Sequence, residues 1–483
     1  MPAETLPAVA IEDVAGPVPQ LPADAVATAR PDESRPADGA APPAPPQGDL
    51  RRKVLGLAWP VIGENLLQTL LGVVDTILVA GLGAAALAGV GTALQVIYVV
   101  IAALTALSVG AAVLVAQAFG AGDLAAAGRV ARQALIWSLI VSIPVAALGM
   151  LLTPHLVGLF GLQPDVARVA IDYLHVTMGT IATIILLLIG GGVLRGVGDS
   201  RTPMLITLLA NVLNVGLAYA LIYGHLGLPA LGAVGSAWAT FLSRLAGVAI
   251  MLWVLWRGRN GVRIGGGDWR PRVGVARDVL RIGLPAALEE VVIISAFATL
   301  TPIVAGLGTV ALAAHRVAIN VLSLSFLPGI GFGLATTALV GQSIGARRPG
   351  DATAVTRIAL RWAVAWMGAL GVGFLLFAGP LMRLFTQDPQ MIAIGAAALV
   401  AVAAAQPFWA ASFVYAGALR GAGNTRLPLA ITGVTIWVTV GLAGVGVRLF
   451  QPALWVIWAA FLITCAVEAA CFWRAWRRQR GCL

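Results

Sequence analysis

The feature that most constrains this chain is a succession of apolar blocks, each about twenty or more residues long and nearly free of charge, running from about residue 54 to 473. That length carries a helix across the hydrocarbon core of a bilayer. Lipid offers no partner for backbone polar groups, so only helices and closed barrels span it, and the blocks lack the alternation of barrel strands. With 59% hydrophobic and 11% charged residues, the chain cannot cover itself in water. The expectation is an all-α integral membrane protein.

The blocks place twelve spans near 54-80, 89-118, 131-152, 169-194, 203-223, 232-256, 279-305, 311-340, 355-378, 391-419, 427-448 and 452-473. Residues 1-50 differ in kind, with eleven of the 27 prolines and eight acidic residues. They read as a disordered acidic tail without the basic start and cleavage site of a signal peptide. The rest of the chain is basic, but its charges sit in short loops rather than on one face, so nucleic acid is not an expected partner. Assigning the start to the cytoplasm puts 26 Lys and Arg inside and three (Arg168, Arg383, Arg448) outside, which predicts both termini in the cytoplasm of a bacterial inner membrane. Cys465, Cys471 and Cys482 have no paired spacing, and neither a disulfide framework nor a metal site is indicated.

The membrane part repeats itself at a constant offset of 225 residues. Ala80-Gly81-Leu82-Gly83 recurs as Ala305-Gly306-Leu307-Gly308, Arg195-Gly196 as Arg420-Gly421, and Pro60 and Glu64 as Pro285 and Glu289. Six spans per copy is even, so both copies enter the membrane the same way, related by a pseudo-two-fold axis along its normal. The expected division is an N-terminal bundle 51-256, a cytoplasmic linker 257-278, a C-terminal bundle 279-476 and a short tail 477-483. Secondary transporters place their sites in the cleft between such repeats.

Leu57-Ala58-Trp59-Pro60, Glu64-Asn65-Leu66-Leu67-Gln68, Val74-Asp75-Thr76, Ala313-Ala314-His315 with Asn320, Phe326-Leu327-Pro328-Gly329, Leu339-Val340-Gly341-Gln342 and Leu419-Arg420-Gly421-Ala422-Gly423-Asn424-Thr425 together resemble the multidrug and toxic compound extrusion (MATE) exporters, closest to their DinF-like branch. The resemblance spans about residues 51 to 476. It implies a V-shaped pair of bundles that exports amphiphilic, often cationic compounds in exchange for protons or sodium ions, without other cofactor, and it implies Asp75 as the coupling carboxylate. The acid that the family carries after the span-5 asparagine falls here at Ala218, and that of span 10 near Trp409, so the coupling ion stays open.

Independently of any family, an ionisable group inside a span is costly and by default functional. The candidates are Glu64, Asp75, Glu289, Glu290 and Glu468, with Arg244 and Arg316 of opposite sign. Glu64, Gln68 and Asp75 fall within about 40° on a helical wheel, and Thr207, Asn211 and Asn214 form a second polar stripe on span 5. A carboxyl in such a place changes protonation as its surroundings change, as an ion-coupled step requires. Asp75, Glu64 and Asn214 are therefore the expected ion-coupling residues, with room for a sodium ion near Asp75. Gln68, Thr76, Asn211, Arg316 and Asn320 are the expected cavity residues, and Pro60 the hinge of the first helix. Glu64 has a packing role as its alternative because its copy is kept, Glu468 reads as solvated near the end of span 12, and Arg244 calls for a carboxylate or carbonyl partner.

The reading is a monomeric secondary exporter contacting small amphiphilic substrates and membrane lipid. A lipid-linked precursor flippase of the same superfamily is the alternative. A membrane hydrolase lacks HExxH, GxSxG or a His/Cys cluster, so an enzyme is not expected.

Overall fold

The computed structural model describes residues 47–225, 227–449 and 453–482; residues 1–46 of the expected tail lie outside these. The described residues form thirteen helices and no strand beyond one isolated bridge between Arg259 and Val262. The helices are α1 Gln47–Ala80, α2 Ala84–Gly120, α3 Leu124–Gly158, α4 Pro164–Gly179, α5 Ile181–Gly196, α6 Arg201–Tyr223, α7 Ala233–Arg257, α8 Val273–Ala305, α9 Thr309–Gly345, α10 Pro349–Arg383, α11 Pro389–Gly421, α12 Arg426–Leu449 and α13 Leu454–Gly481. Eleven are long and apolar enough to cross a membrane, and α4 with α5, bent by 52°, are so only when taken together, which gives up to twelve spans.

The bend replaces the straight helix expected over 169-194. Thr180 leaves helical geometry (φ −111, ψ 14), and its hydroxyl turns back to the carbonyls of Val176 and Thr177. Gly179 beside it is a weak helix former, which lowers the cost of a break at this point. Helices also overrun the apolar blocks. Residues 47–50, counted with the tail, are the first turn of α1 with Leu50 buried; 273–278, counted with the linker, open α8; and 477–481 continue α13. Polar residues at helix ends make intrahelical bonds as readily as apolar ones, so hydropathy cannot mark where such helices stop.

The first halves of α1 and α8 cross between the bundles. Val54 and Leu57 lie in the apolar core built by α9 to α13, whereas their repeat equivalents Val279 and Ile282 lie in the core of α2 to α7. At the same end, which holds both described chain ends, α2 and α9 meet. A Cβ on Gly120 would stand 2.0 Å from the Gln342 carbonyl oxygen, and one on Gly345 1.9 Å from that of Gln117, so only glycine permits this approach. Gln117 Nε2 donates to the Gly421 carbonyl (3.2 Å) and Gln342 Nε2 to that of Gly196 (2.8 Å).

The far end is different. The core around Val79, Ile97, Tyr173 and Ile222 draws only on α1 to α7. The close contacts between the bundles thus gather at the end bearing the chain ends, and the core at the far end belongs to the first bundle alone. Ile143, Leu151 and Leu376 stand outward, as a lipid-facing belt requires.

Candidate functional site

Asp75 lies in the outer half of α1, where that helix packs against α6 and α7. Ser236 of α7 donates its hydroxyl to Asp75 Oδ1 at 2.6 Å. One and two helical turns further along α7, Thr240 and Ser243 receive the amide of Asn214 from α6, at 3.0 and 3.4 Å. Spacings of four and three residues put Ser236, Thr240 and Ser243 on one face of α7, so a row of hydroxyls leads from the carboxylate to a buried amide. Arg244 follows on the same helix; Asp75 and Tyr173 are the anionic or acidic groups whose field it feels, with no direct ion pair among the described residues.

Glu64 is placed elsewhere on α1. It pairs with Arg195 of α5 (Oε2 to Nη1, 3.0 Å), and its repeat equivalent Glu289 pairs with Arg420 of α11 (2.7 Å). The second copy adds acid around this shared pair. Thr432 donates to Glu289 Oε1 (3.1 Å), Glu290 lies within the field of Glu289 and Arg420, and Glu468 faces Thr432, Thr435 and Ser412 inside the bundle. Glu468, read from sequence as solvated, is half-buried beside these hydroxyls. Proximity to the chain end suggested water, but α13 extends a further thirteen residues to Gly481 and keeps Glu468 within the packed part. The first copy holds Asn65 and Ser243 where Glu290 and Glu468 stand.

Between the bundles, α2 and α9 are the central helices, each touching helices of both copies. Each leaves one stripe uncovered: Gly91, Gln95 and Tyr98 on α2, and Arg316, Asn320 and Ser323 on α9. Gln95 and Asn320 are repeat equivalents, so the two exposed stripes carry matched amides, with Arg316 the one cation on them among the described residues. His315 beside it is buried against Trp458, ring centroids 5.4 Å apart.

The MatE family model matches the sequence twice, over residues 60–220 and 285–444, together more than half the chain and in register with the 225-residue repeat. The chain belongs to the MATE family. Its members are transporters rather than enzymes, and the helices make this one a multi-pass membrane protein. A relative from Thermotoga maritima, described as a probable multidrug resistance protein NorM, is 35% identical over 416 residues, covering 86% of this chain and 89% of the relative. A solved structure described as the outward-facing conformation of a multidrug resistance MATE family transporter superposes with a TM-score of 0.84 at 27% identity, covering 90% of this chain and 97% of that one. A Pyrococcus furiosus transporter of the MOP superfamily, described as having a binding pocket of reversed polarity, superposes equally well (0.84, 26% identity, 90% and 97% covered).

In this MATE chain the residues singled out from sequence separate into three places. Asp75 and Asn214 join through α7, and Asn211 donates to the Leu67 carbonyl of α1 at 2.7 Å. Gln68, Thr76, Arg316 and Asn320 are exposed, and Thr76 returns its hydroxyl to Gly72. Glu64 stands apart with Arg195, about three turns from Asp75. Pro60 lies within α1, which continues as one helix through it. Sequence reasoning missed Ser236, Thr240 and Ser243, together with Gln95 and Tyr98. The first three were signalled by their i, i+4, i+7 spacing on an apolar span, and Gln95 by its match to Asn320.

Proposed function

We propose that the protein is a secondary active exporter that moves amphiphilic compounds out of the cell by alternating access, in exchange for protons or sodium ions, with Asp75 as the coupling group. The observation that carries this is the Asp75 carboxylate held inside the first bundle by Ser236, at the head of a hydroxyl row ending on Asn214. A charge in that place needs either a proton or a cation, and each choice alters how α1 is held against α6 and α7. A sodium ion would find oxygen donors in Asp75, Ser236 and Thr240.

We read the basic excess at the closed end as cytoplasmic, which would set both termini inside a bacterial inner membrane. The described arrangement is then outward-facing. Loading Asp75 from outside would loosen its hold on Ser236 and favour substrate release; unloading to the inside resets the cycle. Substrate would lie against Gln95, Tyr98, Arg316 and Asn320, with Gln68 and Thr76 on the adjoining face of α1. We assign Glu64 to a structural tie rather than to coupling, because the Glu64–Arg195 pair recurs in the second copy as Glu289–Arg420. The transporting unit is the monomer, each holding its own cleft.

A lipid-linked precursor flippase calls for a strongly cationic cavity, and the two central stripes contribute Arg316 alone among the described residues. The deciding experiment is ethidium efflux from proteoliposomes under a pH gradient and then a sodium gradient, with the wild type and Asp75→Asn. Gradient-driven efflux abolished in the variant supports the reading, and the effective gradient names the ion. Efflux that persists in Asp75→Asn would remove Asp75 from the coupling step.

A further inference from the structure

The segment joining the two copies, residues 258–272, has no equivalent in the repeat, and it builds a cavity of about 620 Å³ with the start of α3, the end of α2 and the start of α8. Four arginines line it, Arg129, Arg132, Arg263 and Arg272, against Asp268 and Asp278. Arg272 pairs with Asp268 at 3.6 Å, and Arg129 stands 3.9 Å from Asp123. Arg263 is exposed, with no ion pair to an acid among the described residues. Arg132 is 7% exposed; its Nη1 donates to the carbonyls of Ile264 and Gly266, and its buried Nε has no partner. The loop is shaped around this side chain. Gly267 takes φ +86, and a Cβ there would stand 2.7 Å from Arg132 Nη2.

The cavity also lies at a particular depth. Its walls are helix ends and the linker, and Trp137 and Trp256 adjoin residues that line it. Trp137 Nε1 donates to the Arg272 carbonyl, Trp256 stacks on Trp269 with centroids 6.1 Å apart, and Trp253 lies under the Arg257 guanidinium. Trp253, Trp256 and Trp269 all project outward. Exposed tryptophans beside arginines mark the level of lipid headgroups, where the indole body is in acyl chain and its N–H in water. Basic pockets at that level between helices hold phosphate-bearing headgroups.

We propose that this cavity binds the phosphate headgroup of an anionic phospholipid of the inner leaflet, with Arg132 and Arg263 as the principal phosphate ligands and the tryptophans against the acyl chains. A bound lipid would fasten the linker to α3 and to the entry of α8, the helix whose first half crosses into the opposite bundle. The site acts independently of which ion drives transport.

The test uses the full chain purified in detergent and titrated with dioleoylphosphatidylglycerol, dioleoylphosphatidylcholine and inorganic phosphate, with bound lipid counted by native mass spectrometry. The expected result is retention of phosphatidylglycerol over phosphatidylcholine, weakened about fivefold by Arg263→Gln and again by Arg132→Gln, at about 1 kcal/mol per arginine. Arg477→Gln, at the same end but stacked on Trp473, should leave retention unchanged. Because Arg263 is exposed, its variant keeps the fold, and unaltered retention in it would overturn the proposal. Equal binding of phosphatidylcholine would also overturn it, as would displacement of the lipid by millimolar inorganic phosphate, which would make free phosphate the ligand.

Discussion

Gln117 and Gln342 are the same residue of the two copies, and each reaches across to a backbone carbonyl of the opposite bundle, Gly421 and Gly196 respectively. These reciprocal bonds close the end where the chain ends lie, beside the glycine contacts that bring α2 and α9 together. A neutral hydrogen bond of this kind contributes about 1 kcal/mol net. The double variant Gln117→Ala, Gln342→Ala should therefore populate the opened state of that end several-fold more than either single variant. Spin labels on Ala121 and Ala346, which follow the two helices, read this as growth of a longer-distance population. An unchanged distance distribution would mean that the two amides do not hold the gate.

The hydroxyl row on α7 makes a graded prediction for transport. Ser236→Ala removes the hydrogen bond that Ser236 donates to Asp75, a charge-assisted contact of about 1.5–3 kcal/mol, and should slow gradient-driven efflux by about tenfold or more. Thr240→Val breaks the row one turn further on and should have a smaller effect. Initial efflux rates in proteoliposomes at matched protein density check the order; equal rates for Ser236→Ala and wild type would contradict it.

The two conserved-by-duplication ion pairs should not be equivalent in stability. Losing Arg195 strands Glu64, whereas losing Arg420 strands Glu289 with Glu290 and Glu468 close by. Breaking a buried pair costs about 3–5 kcal/mol. Arg420→Met is expected to lower the melting temperature in detergent more than Arg195→Met, and Glu289→Gln added to Arg420→Met should recover part of the loss. Identical losses for the two arginine variants would argue against a role for the extra carboxyls.

Arg316 stands on the uncovered stripe of α9, whereas the matching stripe of α2 is neutral. Like charges facing each other in a cleft disfavour binding. Arg316→Ala should raise ethidium efflux by about threefold to tenfold and leave a neutral dye unaffected. A fall in ethidium efflux would show that the guanidinium assists cationic substrates.

Asp199 caps α6, accepting from the backbone N–H groups of Arg201 and Thr202, and it holds the linker through Arg259 at 2.5 Å. Burial pushes this carboxyl up, but bonds from Thr202 and Arg259 outweigh it and hold it below the usual carboxylate range. A depressed folded-state value means that the stabilisation is present above the unfolded value of about 3.9 and is lost as pH falls through the folded one. Asp199→Asn should cost about 1 kcal/mol at pH 7, and the gap should close below about pH 4. Melting curves across pH 3 to 7 measure it; a gap constant with pH would exclude the ionised carboxylate as its source.

By itself the sequence determined the membrane class, the number of spans and the duplication, because each follows from where apolar side chains and arginines fall along the chain, a quantity that lipid reads directly. It also isolated Asp75, since one carboxyl in an apolar block needs no neighbour to be conspicuous. The partners were decided by tertiary structure. Ser236 and Thr240 are unremarkable on α7 until α1 and α6 pack beside them, and Glu64 looked like part of the Asp75 stripe until Arg195 arrived from α5. The crossing of α1 and α8, the break at Thr180 and the interior position of Glu468 were likewise set by packing between segments far apart in sequence. A helical wheel orders the faces of one helix; which face meets which helix depends on how all of them pack at once.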